Sequence, residues 1–341
     1  MNLRQLSLQL GLSQTTVSRA LNGFPEVSEE TRVRVKAAAE LHGYRPSAAA
    51  RRLATGQSGT LGVVFPAERN MLGDLLFTEF LGGCVEMASD LGYDVTLAMA
   101  RAGQSEEAVY RRAVRSARVD AMILSSPLIA DPRLDLLRQL GMPFIVHGRT
   151  RAKTPYAHLD IDNEGAFEAA ARLLTDLGHQ RIALLNGETR YNFAADRERG
   201  YRSALAAKGL VPPQGFVCDD PMTEESGFRQ AARLLAVEHR PTAFLCSNIA
   251  QATGVSKACR DVGLQIGKHI ALIAHDDRLH EIRAETFDPP LTATQSSLGD
   301  AGRRIVELCI AMLQTPNSPL AAEVWPVDLV VRASTIPVQA L

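Results

Sequence analysis

The chain has 341 residues, 46% hydrophobic and 22% charged, enough for about two to three domains with sizeable cores. Its 37 lysines and arginines against 38 aspartates and glutamates leave a net charge near zero, which neither demands nor forbids a nucleic-acid partner. Five cysteines with no C-x-x-C pair exclude a zinc ribbon or a disulfide framework; without a signal-peptide-like start or an apolar run of about 18 residues, neither export nor membrane spanning is expected.

Charge is unevenly spread. Residues 1–58 carry eight basic side chains (Arg4, Arg19, Arg32, Arg34, Lys36, Arg45, Arg51, Arg52) and four acidic ones (Glu26, Glu29, Glu30, Glu40), leaving 29 basic against 34 acidic beyond them. A basic head on an acidic body is the pattern of a DNA-binding head on a sensor, because phosphate contacts dominate affinity. A small imbalance on a solvated surface is the alternative.

Leu3, Leu6 and Leu10 recur at helical spacing and define a first helix. Gly11 supplies a turn and Ser13 an N-cap for a second helix. Val17 and Leu21, four apart, pack inward. Gln14, Thr15, Ser18 and Arg19 then face outward, and such side chains bond base edges and phosphates. An ordinary amphipathic helix has the same polar face. Asn22 to Pro25 reads as a turn. Ser28 caps a third helix, with Glu29 and Glu30 in its first turn and an expected apolar stripe of Val33, Ala37, Ala38 and Leu41. Three short helices with so few large apolar residues are marginal alone. Ser47 to Ala54 predicts a short helix carrying Arg51, Arg52 and Leu53, unstable in isolation, with Gly56, Ser58 and Gly59 as a flexible joint.

From Thr60 short apolar runs alternate with amphipathic stretches. Strands are predicted at 61–65, 95–99, 121–124, 144–146, 182–185, 243–246 and 270–274. Helices are predicted at 77–91, 107–117, 165–177, 197–208, 227–237 and 251–262. This alternation predicts a doubly wound α/β body, with too many strands for one sheet and so two lobes. Open α/β sheets bind ligands beyond the carboxyl ends of their strands. That directs attention to Arg149, residues 186–193, Asn248 and His275-Asp276-Asp277. Asp, Asn, Arg and aromatics in a cleft suit a polyhydroxy ligand. His158, Asp160 and Asp162 share a strand face, and with His275 to Asp277 they raise the question of a metal. A hydrogen-bonded hinge is the preferred reading, and no metal or cofactor is expected. No G-x-S-x-G elbow, P-loop or G-x-G-x-x-G occurs, so no catalytic site is expected.

The run Ser13-Gln14-Thr15-Thr16-Val17-Ser18-Arg19-Ala20-Leu21-Asn22, then Val27 to Arg32, Gly43 to Ser47 and Ala50 to Leu53, resembles the LacI/GalR family of bacterial transcription regulators. Gln5-Leu6-Ser7 departs from the family's usual Asp-Val-Ala and leaves only the first helix's details open. In the body, Ile161 to Gly165, Leu177 to Ala183, Arg240 to Ala243 and Arg332 to Thr335 match the family's lobe crossing, interior signatures and terminal strand. The resemblance implies an N-terminal all-α helix-turn-helix head (1–45) and a hinge helix and linker (46–58). A two-lobed periplasmic-binding-protein-like α/β body (59–341) follows. Lobe 1 would take about 59–160 and 294–322, and lobe 2 about 161–293 and 323–341.

The resemblance also implies roles. Gln14, Thr15 and Arg19 match major-groove reading positions, and Ser13, Thr16, Ser18 and Asn22 join them as expected DNA contacts. Leu53 matches a hinge wedge that unstacks a minor-groove base step, with Arg51 beside it. Phe77, Arg149, Arg197, Asn248 and Asp276 fall at effector positions; Tyr191 and Phe193 are candidates for covering the ligand. Trp325 is expected to be structural. Asn248 and His275 differ from the family's more usual residues there. The expected partners are double-stranded operator DNA, a small effector and a second copy of the chain; the absence of a heptad tail implies a dimer. Residues 12–27 and 143–149 resemble the α-glucoside-type repressors, which implies a sugar or α-glucoside effector. A transport receptor or a carbohydrate-active enzyme on the same body is the alternative; neither accounts for the head.

Overall fold

The computed structural model describes residues 1–21, 23–44, 58–65, 74–100, 103–116 and 118–338. The head is three helices: α1 (Leu3–Leu10), α2 (Gln14–Leu21) and α3 (Glu29–Leu41). At the start of α1 the Asn2 side chain accepts from the Gln5 N–H and the Gln5 side chain accepts from the Asn2 N–H, both at 2.9 Å. Such a capping box satisfies two otherwise orphaned donors. Gln5, one of the departures from the family pattern, thus completes the cap. Gly11 ends α1 in the left-handed region at φ 66°, where a Cβ would be strained.

Leu6, Val17, Ala20, Val27, Val35 and Ala39 form the head's core. The expected stripe on α3 is corrected here. Val33 and Leu41 are 59% and 81% exposed, and Val35 and Ala39 face inward instead. Both sets recur at helical spacing, so periodicity alone does not choose between them. The choice is made by Arg32, which donates to the carbonyls of Phe24 and Val27, and by Arg34, which donates to that of Leu10.

The chain enters the body where Asp120 accepts from the N–H groups of Ser58 and Gly59, each at 2.7 Å. The first lobe contains β1 (Thr60–Phe65), α4 (Leu75–Asp90), β2 (Asp94–Met99), α5 (Glu106–Arg115), β3 (Ala121–Ser125), α6 (Pro132–Gln139), β4 (Phe144–His147) and β5 (Ala157–Ile161). The second contains α7 (Asn163–Asp176), β6 (Ile182–Asn186), α8 (Asn192–Ala206), β7 (Val217–Asp219), α9 (Glu224–Leu235), β8 (Ala243–Cys246), α10 (Ile249–Asp261), β9 (Ala271–Asp276) and β10 (Thr292–Gln295). α11 (Leu298–Gln314) and β11 (Ala322–Trp325) return to the first lobe, and β12 (Asp328–Val330) to the second.

Each lobe is one six-stranded sheet, β11-β5-β4-β3-β1-β2 and β12-β10-β9-β8-β6-β7. All pairings are parallel except that of β12 with β10. Both sheets reverse direction of winding between their first and third strands, the switch point at which doubly wound sheets open a crevice. Strands β3, β4, β6, β8 and β9 are buried along nearly their whole length, as parallel strands covered on both faces must be.

Three differences from the sequence reading have physical causes. Helices α4, α7, α8, α9 and α10 start two to five residues earlier than their apolar periodicity suggests; the side chains of Asp74, Asp162, Thr223 and Asn248 cap four of them, and α8 starts after Tyr191. Strands β5, β7, β10, β11 and β12 are not among the predicted apolar runs; each is three to five residues long and includes at least one polar residue. Residues 332–335, expected as a terminal strand, form a turn. There the Ser334 hydroxyl donates to Leu272 O at 2.6 Å and accepts from Thr292 N at 2.7 Å, so a side chain takes up bonds that a ladder would otherwise make, beside the main-chain bonds of Ser334 to Leu272 and Pro290.

Candidate functional site

On α2, Val17 and Ala20 are fully buried, while Ser13, Gln14, Thr15 and Arg19 are exposed; Thr16 and Ser18 are half-buried. Ser13 Oγ accepts from Thr16 N at 3.0 Å and shares a 2.8 Å hydrogen bond with Thr16 Oγ1, which caps the helix. Gln14, Thr15 and Arg19 form one polar surface on a helix anchored by its other side. Asn22, Arg51 and Leu53 lie outside the described residues.

A second constellation forms between the lobes. The strand ends deliver Arg149 after β4, Asp160 in β5, Asn186 at the end of β6, Ser247 and Asn248 after β8, and His275 to Asp277 at the end of β9. α8 adds Phe193, Asp196 and Arg197. Arg197, 5% exposed, donates from Nε to Asn163 Oδ1 at 2.8 Å and from Nη1 to Ser247 O at 2.6 Å. Its guanidinium lies 4.8 Å from the ring centre of Phe167 and 5.2 Å from that of Phe193, within cation–π range. Phe193 and Arg197 are four apart on α8, so the early start of that helix is what puts them together. Gln251 holds Ser247 in place by accepting from its N–H and donating to Asn186 O.

The lobes are tied nearby. Arg149 Nε donates to Asp160 at 2.7 Å and Nη2 lies 3.9 Å from Asp196 of the other lobe. Asp196 also takes hydrogen bonds from Asn192 and Arg199. The main chain of residues 190–192 bonds to that of 127–129 across the gap.

Burial lowers the Arg197 pKa to about 10, against the pull of Asp277 and Asp160. Burial, with Asp276 and Asp74 nearby, pushes Asp277 up to about 7 although Arg197 opposes it. Burial also holds Asp160 above the ordinary carboxylate range despite Arg149 beside it. His275, with its ring nitrogens 2.9 Å from Thr294 Oγ1 and Ser296 Oγ, is kept far below its usual value by burial and by Arg197. Among the described residues no cluster of His, Cys, Asp or Glu is arranged to hold a metal ion, and no helix is long and apolar enough to cross a membrane.

The other expected residues sit as follows. Phe77 packs with Leu61, Val63 and Phe80 in the first lobe's core. Tyr191 stacks on Phe193 at 6.1 Å. Asn248 caps α10 through Oδ1 and donates from Nδ2 to Met222 O at 2.9 Å. Asp276 accepts from the N–H groups of Arg278 and Ala284 and from Gln295 Nε2. An ionised carboxylate has about four acceptor positions, so one remains.

Residues 7–47 match the family described as bacterial regulatory proteins, lacI family, and residues 171–335 match a periplasmic binding protein-like domain. Over 337 residues the chain is 45% identical to the HTH-type transcriptional regulator AglR of Rhizobium meliloti (strain 1021), covering 98% of this chain and 94% of that protein. The chain belongs to the LacI family. It is also 34% identical to the HTH-type transcriptional regulator RafR of Escherichia coli, covering 81% of this chain and 82% of that protein. Among solved structures, a lac repressor dimer bound to operator and the anti-inducer ONPF superposes with a TM-score of 0.79 at 26% identity, covering 98% of this chain and 99% of that one. A CelR–cellobiose complex superposes at 0.72 with 25% identity, covering 98% of this chain and 100% of that one. As a LacI-family member the protein is a transcriptional regulator and not an enzyme.

In this LacI-family cleft Asp160, expected as part of a hinge network, and Asp277, expected only as one of the polar residues following a strand, join Asn163, Asp196 and Ser247, for which the sequence suggests no effector role. The available signal was register. β4 and β5 pair His147 with Leu159, which sets Arg149 beside Asp160. That pairing is visible only once β5 is recognised as a strand.

Proposed function

We propose that the protein is a homodimeric, cytoplasmic operator-binding repressor whose DNA affinity is set by a sugar held between its lobes. The observation that carries this reading is the exposed surface of Gln14, Thr15 and Arg19 on a helix whose opposite side is fully buried. These three residues read base edges in the major groove, and Ser13, Thr16, Ser18 and Asn22 make surrounding contacts. Leu53 and Arg51 serve the minor groove at the operator centre. The division into head 1–45, hinge and linker 46–58 and body 59–341 belongs to the same proposal. Two heads on a two-fold dimer match a near-palindromic site.

In the cleft, Arg197 and Asp277 bond the sugar hydroxyls, Phe193 and Tyr191 cover its apolar face, and Arg149, Asn248, Asp276 and Phe77 complete the wall. The similar lac repressor structure is bound to operator and anti-inducer, and the similar CelR structure is a complex with cellobiose; both support this assignment. The resemblance to α-glucoside-type repressors favours an α-glucoside. The test is fluorescence anisotropy of the protein on its own upstream DNA at fixed salt, titrated with a panel of sugars. Release by one sugar is expected. Tightening by a sugar would make the ligand a corepressor, and no binding to that DNA with or without sugar would overturn the reading.

A further inference from the structure

The charge pattern of the cleft restricts what it can hold. This inference rests on the proposed effector site. Four buried carboxyl groups, Asp160, Asp196, Asp276 and Asp277, surround two guanidinium groups, those of Arg149 and Arg197. Arg149 is committed to Asp160, and the neighbouring Arg199 to Asp196 and Glu164. Arg197 spends two of its five donors on neutral protein acceptors, Asn163 Oδ1 and Ser247 O. Among the described residues, then, the cleft offers one guanidinium without a bonded carboxylate partner, and it stands beside Asp277.

We propose that the cleft selects an uncharged glycoside and rejects its phosphorylated or carboxylated counterparts. A hydroxyl both donates and accepts, so a polyol satisfies the Arg197 donors and the carboxylate acceptors together. A phosphate ester brings about −1.5 to −2 charge and only acceptor oxygens. It gains Arg197 but brings more negative charge up to carboxyl groups whose charged form burial already disfavours at Asp160 and Asp277, in a space where like charges repel far more strongly than in water. The aromatic surface of Phe193 and Tyr191 likewise fits the apolar face of a pyranose ring.

The test is isothermal titration of the full chain near neutral pH and about 150 mM salt. The probes are maltose, sucrose and trehalose, each beside its 6-phosphate. At least one neutral sugar should bind, with its phosphate on the order of 100-fold weaker. In Asp277→Asn that gap should narrow about tenfold. A phosphate ester that binds as tightly as its parent sugar overturns the inference. So does a thermal upshift by glucose 6-phosphate or inorganic phosphate that is lost in Arg197→Ala, and so does silence from all three neutral sugars. Operator binding, measured by anisotropy on the same sample, reports separately on the proposed regulator function.

Discussion

Arg197 is the residue on which most of the cleft converges. It touches Asn163 from the lobe crossing, the Ser247 carbonyl from the end of β8, and the rings of Phe167 and Phe193. Arg197→Ala should therefore weaken the effector response at least tenfold while operator affinity without effector stays within about threefold, since hydrogen bonds to a charged group contribute about 1.5–3 kcal/mol. Anisotropy with and without sugar checks it; a variant released at wild-type sugar concentrations would remove Arg197 from the site. Asp277 carries a stability signature. Its folded pKa of about 7 stands above its ordinary 3.8, so between those values the folded protein binds more protons than the unfolded chain. Stability from this group is fully present below about pH 4 and falls as the pH rises to 7, by up to about 1.4 kcal/mol per pH unit. Asp277→Asn lacks that slope. Its melting temperature should gain on the wild type steadily from pH 4 to 7, and parallel curves would contradict the assignment.

At the scale of elements, three helix pairs cross at glycine. A Cβ on Gly83 of α4 would lie 2.1 Å from the Gly299 carbonyl oxygen of α11, one on Gly200 of α8 2.0 Å from that of Glu164 in α7, and one on Gly227 of α9 2.3 Å from that of Gln251 in α10. These obstacles are backbone, so the helices must move apart. Gly200→Ala should cost about 1–3 kcal/mol even though alanine is the better helix former, as for other overpacked cores. Urea unfolding measures it, and a stabilised variant would mean that the crossing can relax. Neither these crossings nor the Arg149–Asp196 approach between the lobes can be read from spacing, because they depend on which helices and strand ends become neighbours. The continuous apolar strands and the capped helices were legible: 121–124, 182–185 and 243–246 lie inside β3, β6 and β8. So was the outward face of α2, where Val17 fixes the inward side. The stripe of α3 was not, because alanines on two sides give two equally periodic faces and only the docking of Arg32 and Arg34 separates them.

At the scale of the whole molecule, a regulator needs its cleft to report to its head. Asp196 sits where such a report would pass, on the second lobe but 3.9 Å from Arg149 of the first, and held by Asn192 and Arg199. On the proposed function, a ligand bonded to Arg197, one residue along α8, would adjust the lobe carrying Asp196 and so the first lobe, to which the Ser58–Asp120 clamp fastens the chain arriving from the head. Coupling of this kind is reciprocal. If the sugar lowers operator affinity by a factor, bound operator must lower sugar affinity by the same factor, typically 5–150-fold. Titrating sugar into the free protein and into its operator complex gives both numbers. Asp196→Asn keeps the side chain's shape but removes the charge that attracts Arg149. It should leave each ligand's affinity for the otherwise empty protein within about threefold and shrink the coupling by about 0.5–2 kcal/mol, equally in both directions of measurement. Full coupling in this variant would mean that the lobes communicate by other links, such as the 127–129 and 190–192 main-chain contacts or the chain crossings between the lobes.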